Sequence, residues 1–387
     1  MRSKYLKGVS PNILLLGIVS FLNDFSSEMI MPILPMFVEA FGGALAVGLV
    51  GGLRDSISSI LKVFFGYWSD KTGRRKIFVS SGYITSAVFK LLLALSKTCP
   101  YVITIAALER LGKGMRTAAR DAIIADSMAE QRGKGFGIHR TLDTCGAILG
   151  SIVVFLLVWV FDFDFSLIIL IAAVFAFVSL IPLHFVKQAE RQPQDISLKI
   201  GLRQLPKPLK LFILVSGVFA LGNFSYMFFI IKAQAAFPGR LSIALPILLY
   251  VLFNFFYAGF SVPLGVLSDK IGRGKVIAIG YLLFSLTSLG FAFFASLPSF
   301  IILFAFYGIT NAAVDANQRA FVSDLSSPHL RATALGTFHT ITGLMALPAS
   351  LIAGFLWNSM APNVVFIYGS VLGFISVLLF IALGICA

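Results

Sequence analysis

The segment Gly66-Tyr67-Trp68-Ser69-Asp70-Lys71-Thr72-Gly73-Arg74-Arg75 returns 199 residues later as Gly265-Val266-Leu267-Ser268-Asp269-Lys270-Ile271-Gly272-Arg273-Gly274. Each copy is a short, glycine-punctuated polar turn between two long apolar stretches, so each reads as a tight loop joining two helices. The duplication extends outward from these loops. Asn23-Asp24-Phe25-Ser26 returns as Gly222-Asn223-Phe224-Ser225, and Phe136-Gly137 is matched by Leu335-Gly336. A constant offset of 199 over most of a 387-residue chain marks an internal repeat.

The flanking stretches identify the solvent. The chain is 58% hydrophobic and 12% charged, where soluble domains run at about 45–50% and about 25%. Twelve stretches reach the roughly 20 apolar residues that a membrane helix needs: 11–37, 44–69, 77–96, 101–126, 137–161, 165–186, 209–235, 242–268, 276–297, 299–324, 332–358 and 363–386. The fold expected is an all-α membrane protein of 12 transmembrane helices in two six-helix bundles, residues 1–187 and 209–387, joined by a polar linker at 188–208. The first stretch has no small-residue cleavage site and is read as a retained span.

A net charge of +14 invites a nucleic-acid reading, but its placement removes it. Arg2, Lys4 and Lys7, the basic residues of both quoted loops, Arg132, Lys134, Arg331 and the six of the 187–210 connection fall on one side. Only Lys97 and Arg240 fall on the other. The positive-inside rule then puts both termini and the linker in the cytoplasm, in a bacterial cytoplasmic (inner) membrane. The partners expected are a lipid bilayer and a small-molecule substrate, with no nucleic acid and a monomeric state. Because six spans is an even number, both halves share one orientation and form a parallel repeat.

The pattern Gly-x-x-x-Asp-Arg/Lys-x-Gly-Arg-Arg/Lys between spans two and three, and again between eight and nine, resembles the signature loop of the major facilitator superfamily. The second copy departs at Gly274, where a basic residue is usual. The resemblance covers essentially the whole chain and implies a secondary transporter working by alternating access. Independently of it, Asp70 and Asp269 at helix ends can pair with Arg or with a facing helix N-terminus, which would latch a gate. Gly66, Arg74, Gly265 and Arg273 belong to the same loops, and Lys71 and Arg75 either join the gate or anchor topology.

Ionisable residues inside spans are costly and functional by default. They crowd the first half. At about 1.5 Å per residue, Asp24, Asp55, Lys113 and Arg116 lie near mid-membrane, with Glu28, Glu109 and Arg110 a turn further out. Arg120, Asp121, Asp126, Arg140 and Asp143 lie at the level of the loops. The deeper set, with Arg54, Asn223 and Tyr226, reads as the central cavity, and the shallower set as the gate network. Glu109, Lys113, Arg116 and Arg120 share one face of span four. Asp24 and Glu28 either pair statically with Arg54 or Arg110 or bind and release a proton. Lys62, Lys90 and Lys232 are expected to snorkel. Phe224, Tyr226, Phe228, Phe229, Phe253, Phe255, Phe256 and Tyr257 offer aromatic walls in the second half.

The reading that follows is a proton-coupled secondary transporter of a small anionic or zwitterionic organic solute, since intramembrane bases outnumber acids. A second reading is multidrug efflux. Arg110 with Gly114 resembles the Arg-x-x-x-Gly element of proton-coupled exporters, although Lys113 stands within it. Gly146-x-x-x-Gly150 resembles their span-five motif without its proline, and is read first as close helix packing. A third reading is a divalent-metal carrier using Asp24, Glu28 and Asn223 as oxygen ligands. A sensor built on the same fold is the rival outside transport. The four histidines show no metal-binding spacing and the three cysteines no framework. No phosphate loop or nucleophile motif supports enzymatic activity, and no cofactor is implied beyond a proton or other ion gradient.

Overall fold

The computed structural model describes residues 9–128, 132–188, 205–326 and 331–384, with the side chains of residues 132, 133 and 332 excepted. Arg2, Lys4, Lys7, the Arg132 side chain, most of the 188–208 linker, His329 and Cys386 lie outside the described residues. Regular structure among the described residues is helical. The elements are α1 Pro11–Ile30, α2 Leu34–Thr72, α3 Arg75–Ala94, α4 Cys99–Ser127, α5 Arg132–Trp159, α6 Phe165–Val178 and α7 Leu180–His184. They continue as α8 Lys207–Gly222, α9 Met227–Ala236, α10 Leu241–Ile271, α11 Arg273–Phe293, α12 Leu297–Asp324, α13 Arg331–Ser359 and α14 Pro362–Ala382.

Eleven helical stretches among the described residues are long and apolar enough to cross a membrane. The remaining expected span is α4, whose 29 residues are long enough but carry too many charges to qualify on composition. The protein is a multi-pass, all-α integral membrane protein. Span boundaries agree with the apolar stretches to within a few residues, and the differences have local causes. Spans one and two are joined by Gly42 and Gly43 alone, with Gly43 at φ +63°, a conformation that favours glycine. Span six breaks after Val178, because Pro182 has no amide to bond the Val178 carbonyl. Span seven breaks between Gly222 and Met227.

The contacts gather the chain into two compact units: Met1–Met31 with Ile60–Ser197, and Pro32–Ser59 with Leu198–Ala387. In the first unit α1 packs on α5 and α6, and α3 on α4 and α6. In the second, α8 packs on α13 and α14, and α11 on α12 and α14. Span for span this is one packing scheme used twice. Segment 32–59 joins the second unit through small residues. A Cβ at Gly52 would lie 2.9 Å from Leu347 Cα, and one at Gly354 2.8 Å from Ala44 O.

Small residues also set the helix spacing in the first unit. Gly146 and Gly150 of α5 press directly on the carbonyl oxygens of Phe21 and Phe25 of α1, leaving no room for a Cβ. The span-five glycines therefore serve close packing. A Cβ at Gly82 of α3 would lie 2.6 Å from Gly112 O of α4. Gly146→Val should lower stability by about 1–3 kcal/mol or more, because the α1 backbone cannot yield. Gly137→Ala, where nothing lies within 4 Å of the new Cβ, should be neutral or stabilising by up to about 1 kcal/mol. Thermal unfolding of the purified variants in detergent checks both.

Candidate functional site

The signature loops form two ion clusters built alike. In the first, the buried Arg75 donates to Asp70 Oδ1 and to Asp126 Oδ2, each at 2.6 Å. In the second, Arg273 lies 3.0 Å from Asp269 Oδ1 and 2.5 Å from Asp324 Oδ2. Arg75 and Arg273 are thus equivalent, at an offset of 198 rather than 199. The second loop is one residue shorter after its turn glycine, and the departure at Gly274 leaves the bridging arginine in place. Asp126 and Asp324 keep the same shifted register.

The turn glycines Gly73 and Gly272 both have positive φ, +67° and +100°, which explains glycine at each. Ser69 and Ser268 each donate to the carbonyl three residues back, on Gly66 and Gly265. The first glycines of the two loops differ in their surroundings. A Cβ at Gly66 would touch Ala118 at 3.0 Å, whereas nothing lies within 4 Å of one at Gly265. Arg74 is exposed at the start of α3. Gln188 ties the linker's first residue to this loop, accepting from the Lys76 amide at 2.6 Å and donating to Gly73 O.

Deeper in the first unit, the charged face of α4 turns inward. Glu109 accepts from Ser86 of α3 at 2.7 Å and lies 3.5 Å from Arg110, which also donates to Met31 Sδ at 2.9 Å. Arg120 bonds Asp121 and reaches Ser20 of α1 at 3.3 Å. Arg116 is 5% exposed. Its guanidinium lies over the Tyr83 ring at 4.5 Å, and its Nη1 has no hydrogen-bond partner. Among the described residues no carboxylate pairs with Arg116 or with Lys113, one turn away. Lys113 is exposed although its helix is packed, as expected of a side chain that opens on a wet space.

Between α1 and α5, Ser20 Oγ and His139 Nε2 are 2.7 Å apart. One turn further on both helices, the Asp24 and Asp143 carboxyls meet. Depth along the sequence puts these two acids in different sets, cavity and gate; the structure brings them together. Asn23 donates to Asp24 at 3.1 Å, and Arg140 to Asp143 at 2.9 Å. Glu28 sits a turn beyond Asp24 and is not free. Lys90 does not snorkel: it is 1% exposed and donates to Ser26 and Ser27 of α1 at 2.9 and 2.8 Å.

In the second unit, Arg54 is buried and Asp55 exposed on α2. Asn223 and Tyr226 bracket the break in span seven. The backbone freed there is satisfied by Ser350 Oγ, which accepts from Ser225 N at 3.1 Å, and by Tyr368 OH, which donates to Leu221 O at 2.7 Å. Discontinuous spans of this kind place polar backbone where a transporter binds its cargo. Phe224, Phe228 and Phe229 are not cavity walls. All three are buried in the unit's core, Phe224 against Phe366, Phe229 against Phe291 and Tyr307, and Phe228 against Phe224 and Trp357. Phe255 is 65% exposed. Tyr226, near Tyr250, and Tyr257, bonded to Asp315 at 2.9 Å, remain partly open. Among the described residues no three His, Cys, Asp or Glu gather as a metal site.

The sequence profile of the Major Facilitator Superfamily matches residues 16–250 and 213–384. The chain belongs to this superfamily. A transporter of the superfamily from Methanocaldococcus jannaschii, itself uncharacterised, is 56% identical over 376 residues, 96% of this chain and 94% of the relative. The multidrug resistance protein MdtH of Shigella dysenteriae is 29% identical over 140 residues, 36% of this chain and 34% of that protein. Among solved structures, the nucleoside transporter NupG superposes with a TM-score of 0.79 over 96% of this chain and 99% of its own, at 15% identity. That likeness is one of fold. As a superfamily member the protein is a transporter, and the two ion clusters carry the family's signature.

The clusters differ in burial, and so should their energetics. Arg75→Gln should cost about 1–3 kcal/mol, since it strips a buried bridge from two carboxylates. Arg273→Gln, at a more open cluster, should cost at most about 1 kcal/mol, and the exposed Arg74→Gln should be near neutral. Thermal unfolding of the three variants tests the ranking.

Proposed function

We propose that the protein is a secondary active transporter that moves a small anionic or zwitterionic organic solute by alternating access, coupled to protons. It acts as a monomer in the cytoplasmic membrane with both termini in the cytoplasm. The observation that carries the cargo class is Arg116, a nearly buried guanidinium whose Nη1 has no hydrogen bond and which makes no salt bridge among the described residues. A cation held in that state by its fold is an unfilled anion contact. Lys113 on the same face supplies a second positive charge. The bidentate geometry of a guanidinium suits a carboxylate or phosphate group.

Multidrug efflux is the second reading, supported by the match to MdtH over part of the chain. Against it, Gly114 of the exporter-like element is accounted for by packing, since a Cβ there would lie 2.7 Å from Leu61 Cβ.

Proteoliposomes loaded with the purified protein should accumulate a small aromatic carboxylate, with benzoate as the probe, faster than protein-free liposomes under the same imposed pH gradient. Arg116→Gln and Lys113→Gln should each weaken apparent affinity about tenfold, the loss of one charge-assisted contact of about 1.4 kcal/mol, with thermal stability retained. Uptake that favours cationic lipophilic dyes over carboxylates would replace this reading with efflux. A flux indifferent to the pH gradient and dependent on sodium would reassign the coupling ion.

A further inference from the structure

We infer that the coupling proton is carried by a pair of carboxyls, Asp24 on α1 and Asp143 on α5, which hold one proton between them. The inference rests on the transporter reading above and names the site within it.

The geometry begins with the glycines. Because Gly146 and Gly150 seat α5 directly against the Phe21 and Phe25 carbonyls, α1 and α5 run at backbone contact, and side chains on their facing stripes meet pairwise. Ser20 and His139 form one such rung at 2.7 Å. Adding four residues on each helix advances both by one turn and yields Asp24 opposite Asp143, whose carboxyls meet. Two carboxylates in contact and sheltered from bulk water repel strongly, and one proton shared between them removes the repulsion. Asp143 has room for it. The residue is 6% exposed, its Oδ2 is used by Arg140 at 2.9 Å, and its Oδ1 is buried with no hydrogen-bond partner.

The surroundings make the proton exchangeable rather than fixed. From α4, Lys113, Arg116 and Arg120 direct positive charge at Asp24, with Asp121 drawing on Arg120. From α3, Tyr83 reaches Ser20 at 3.3 Å, and Lys90 lies above on Ser26 and Ser27. From α5, His139 and Arg140 flank the pair. The packed face of α6 carries no ionisable side chain, and α7 has only His184, at the signature-loop end. An anion seated on Lys113 and Arg116 takes up the same positive charge, so its binding favours protonation of the pair, and the reverse holds by linkage. Anion and proton then load together.

The test needs no substrate. Infrared difference spectra of the full-length protein, titrated from mild acid to mild alkali, should show one protonated-carboxyl C=O stretch that is lost as the pH rises. Asp24→Asn and Asp143→Asn should each abolish it near neutral pH, while Glu28→Gln should leave it. Asp143→Glu, which keeps a carboxyl at the rung, should retain the band at a shifted frequency and guards against loss of folding in the Asn variants. A wild-type spectrum without the band, a band that survives either Asn variant, a band lost in Glu28→Gln, or one unmoved in Asp143→Glu would overturn the assignment. A protein that shows the titrating band yet does not speed benzoate entry beyond that of protein-free liposomes keeps this inference and loses the anion reading; protein-dependent benzoate transport without the band does the reverse.

Discussion

A helix that carries Glu109, Arg110, Lys113, Arg116, Arg120 and Asp121 cannot cross hydrocarbon on its own. Each charge at a helix centre costs at least about 2.5–3.5 kcal/mol in lipid. The first unit is organised around that constraint. Helix α4 is packed by α1, α3 and α5, and its charged face meets Ser86, Tyr83 and Ser20 rather than acyl chains. Serines and a tyrosine supply much of the polar lining, so the positive charges are solvated without all being neutralised. Lys113 and Arg116 form no salt bridge among the described residues, and Asp24 acts on both through its charge alone.

The second unit answers a different constraint. Its core is a continuous stack of phenylalanines, with Phe229 and Tyr307 at 4.2 Å and Phe253 and Tyr307 at 4.9 Å. It has few buried charges to compensate, so polar groups appear where backbone is exposed, at the broken span seven. Both units nonetheless use one packing scheme and one form of ion cluster. The duplication preserved the scaffold and the loop chemistry, while the interior chemistry diverged: where α4 carries Arg120 beside Ser20, the equivalent position offset by 198 carries Gln318, bonded to Tyr281 OH at 2.6 Å. Tyr83 and Tyr281 keep the same register, and each pairs with a serine of its unit's first helix, Ser20 and Ser216.

Close helix contact links the scaffold to the chemistry. Glycine at 146 and 150 brings α5 onto the α1 backbone, and only at that separation do side chains as short as aspartate touch across the interface. The same economy of small residues sets α3 on α4 and holds segment 32–59 in the second unit.

Much of this was legible in the chain alone. The solvent, the spans, their repeat and the superfamily followed from apolar run length and from two copies of one loop, because both are local properties. The loop clusters were legible in part. Asp70, Asp126, Asp269 and Arg273 stood at the right depth, but the one-residue shift that makes Arg75 the counterpart of Arg273 shows only in which carboxylates each arginine bridges. Depth also sorted Asp24 from Asp143, since a linear count along separate helices carries no information on how far one helix slides or tilts against another. Phe224, Phe228 and Phe229 had no readable direction, because a uniformly apolar stretch has no polar face to show which side is inward, whereas Lys90 stands one turn beyond Ser86 on a polar stripe of α3 that faces inward. Composition determined that the chain crosses a membrane and where charge enters it. Which charges meet, and which are left without a partner, was decided by helix packing, because that depends on the approach and register of helices far apart in sequence.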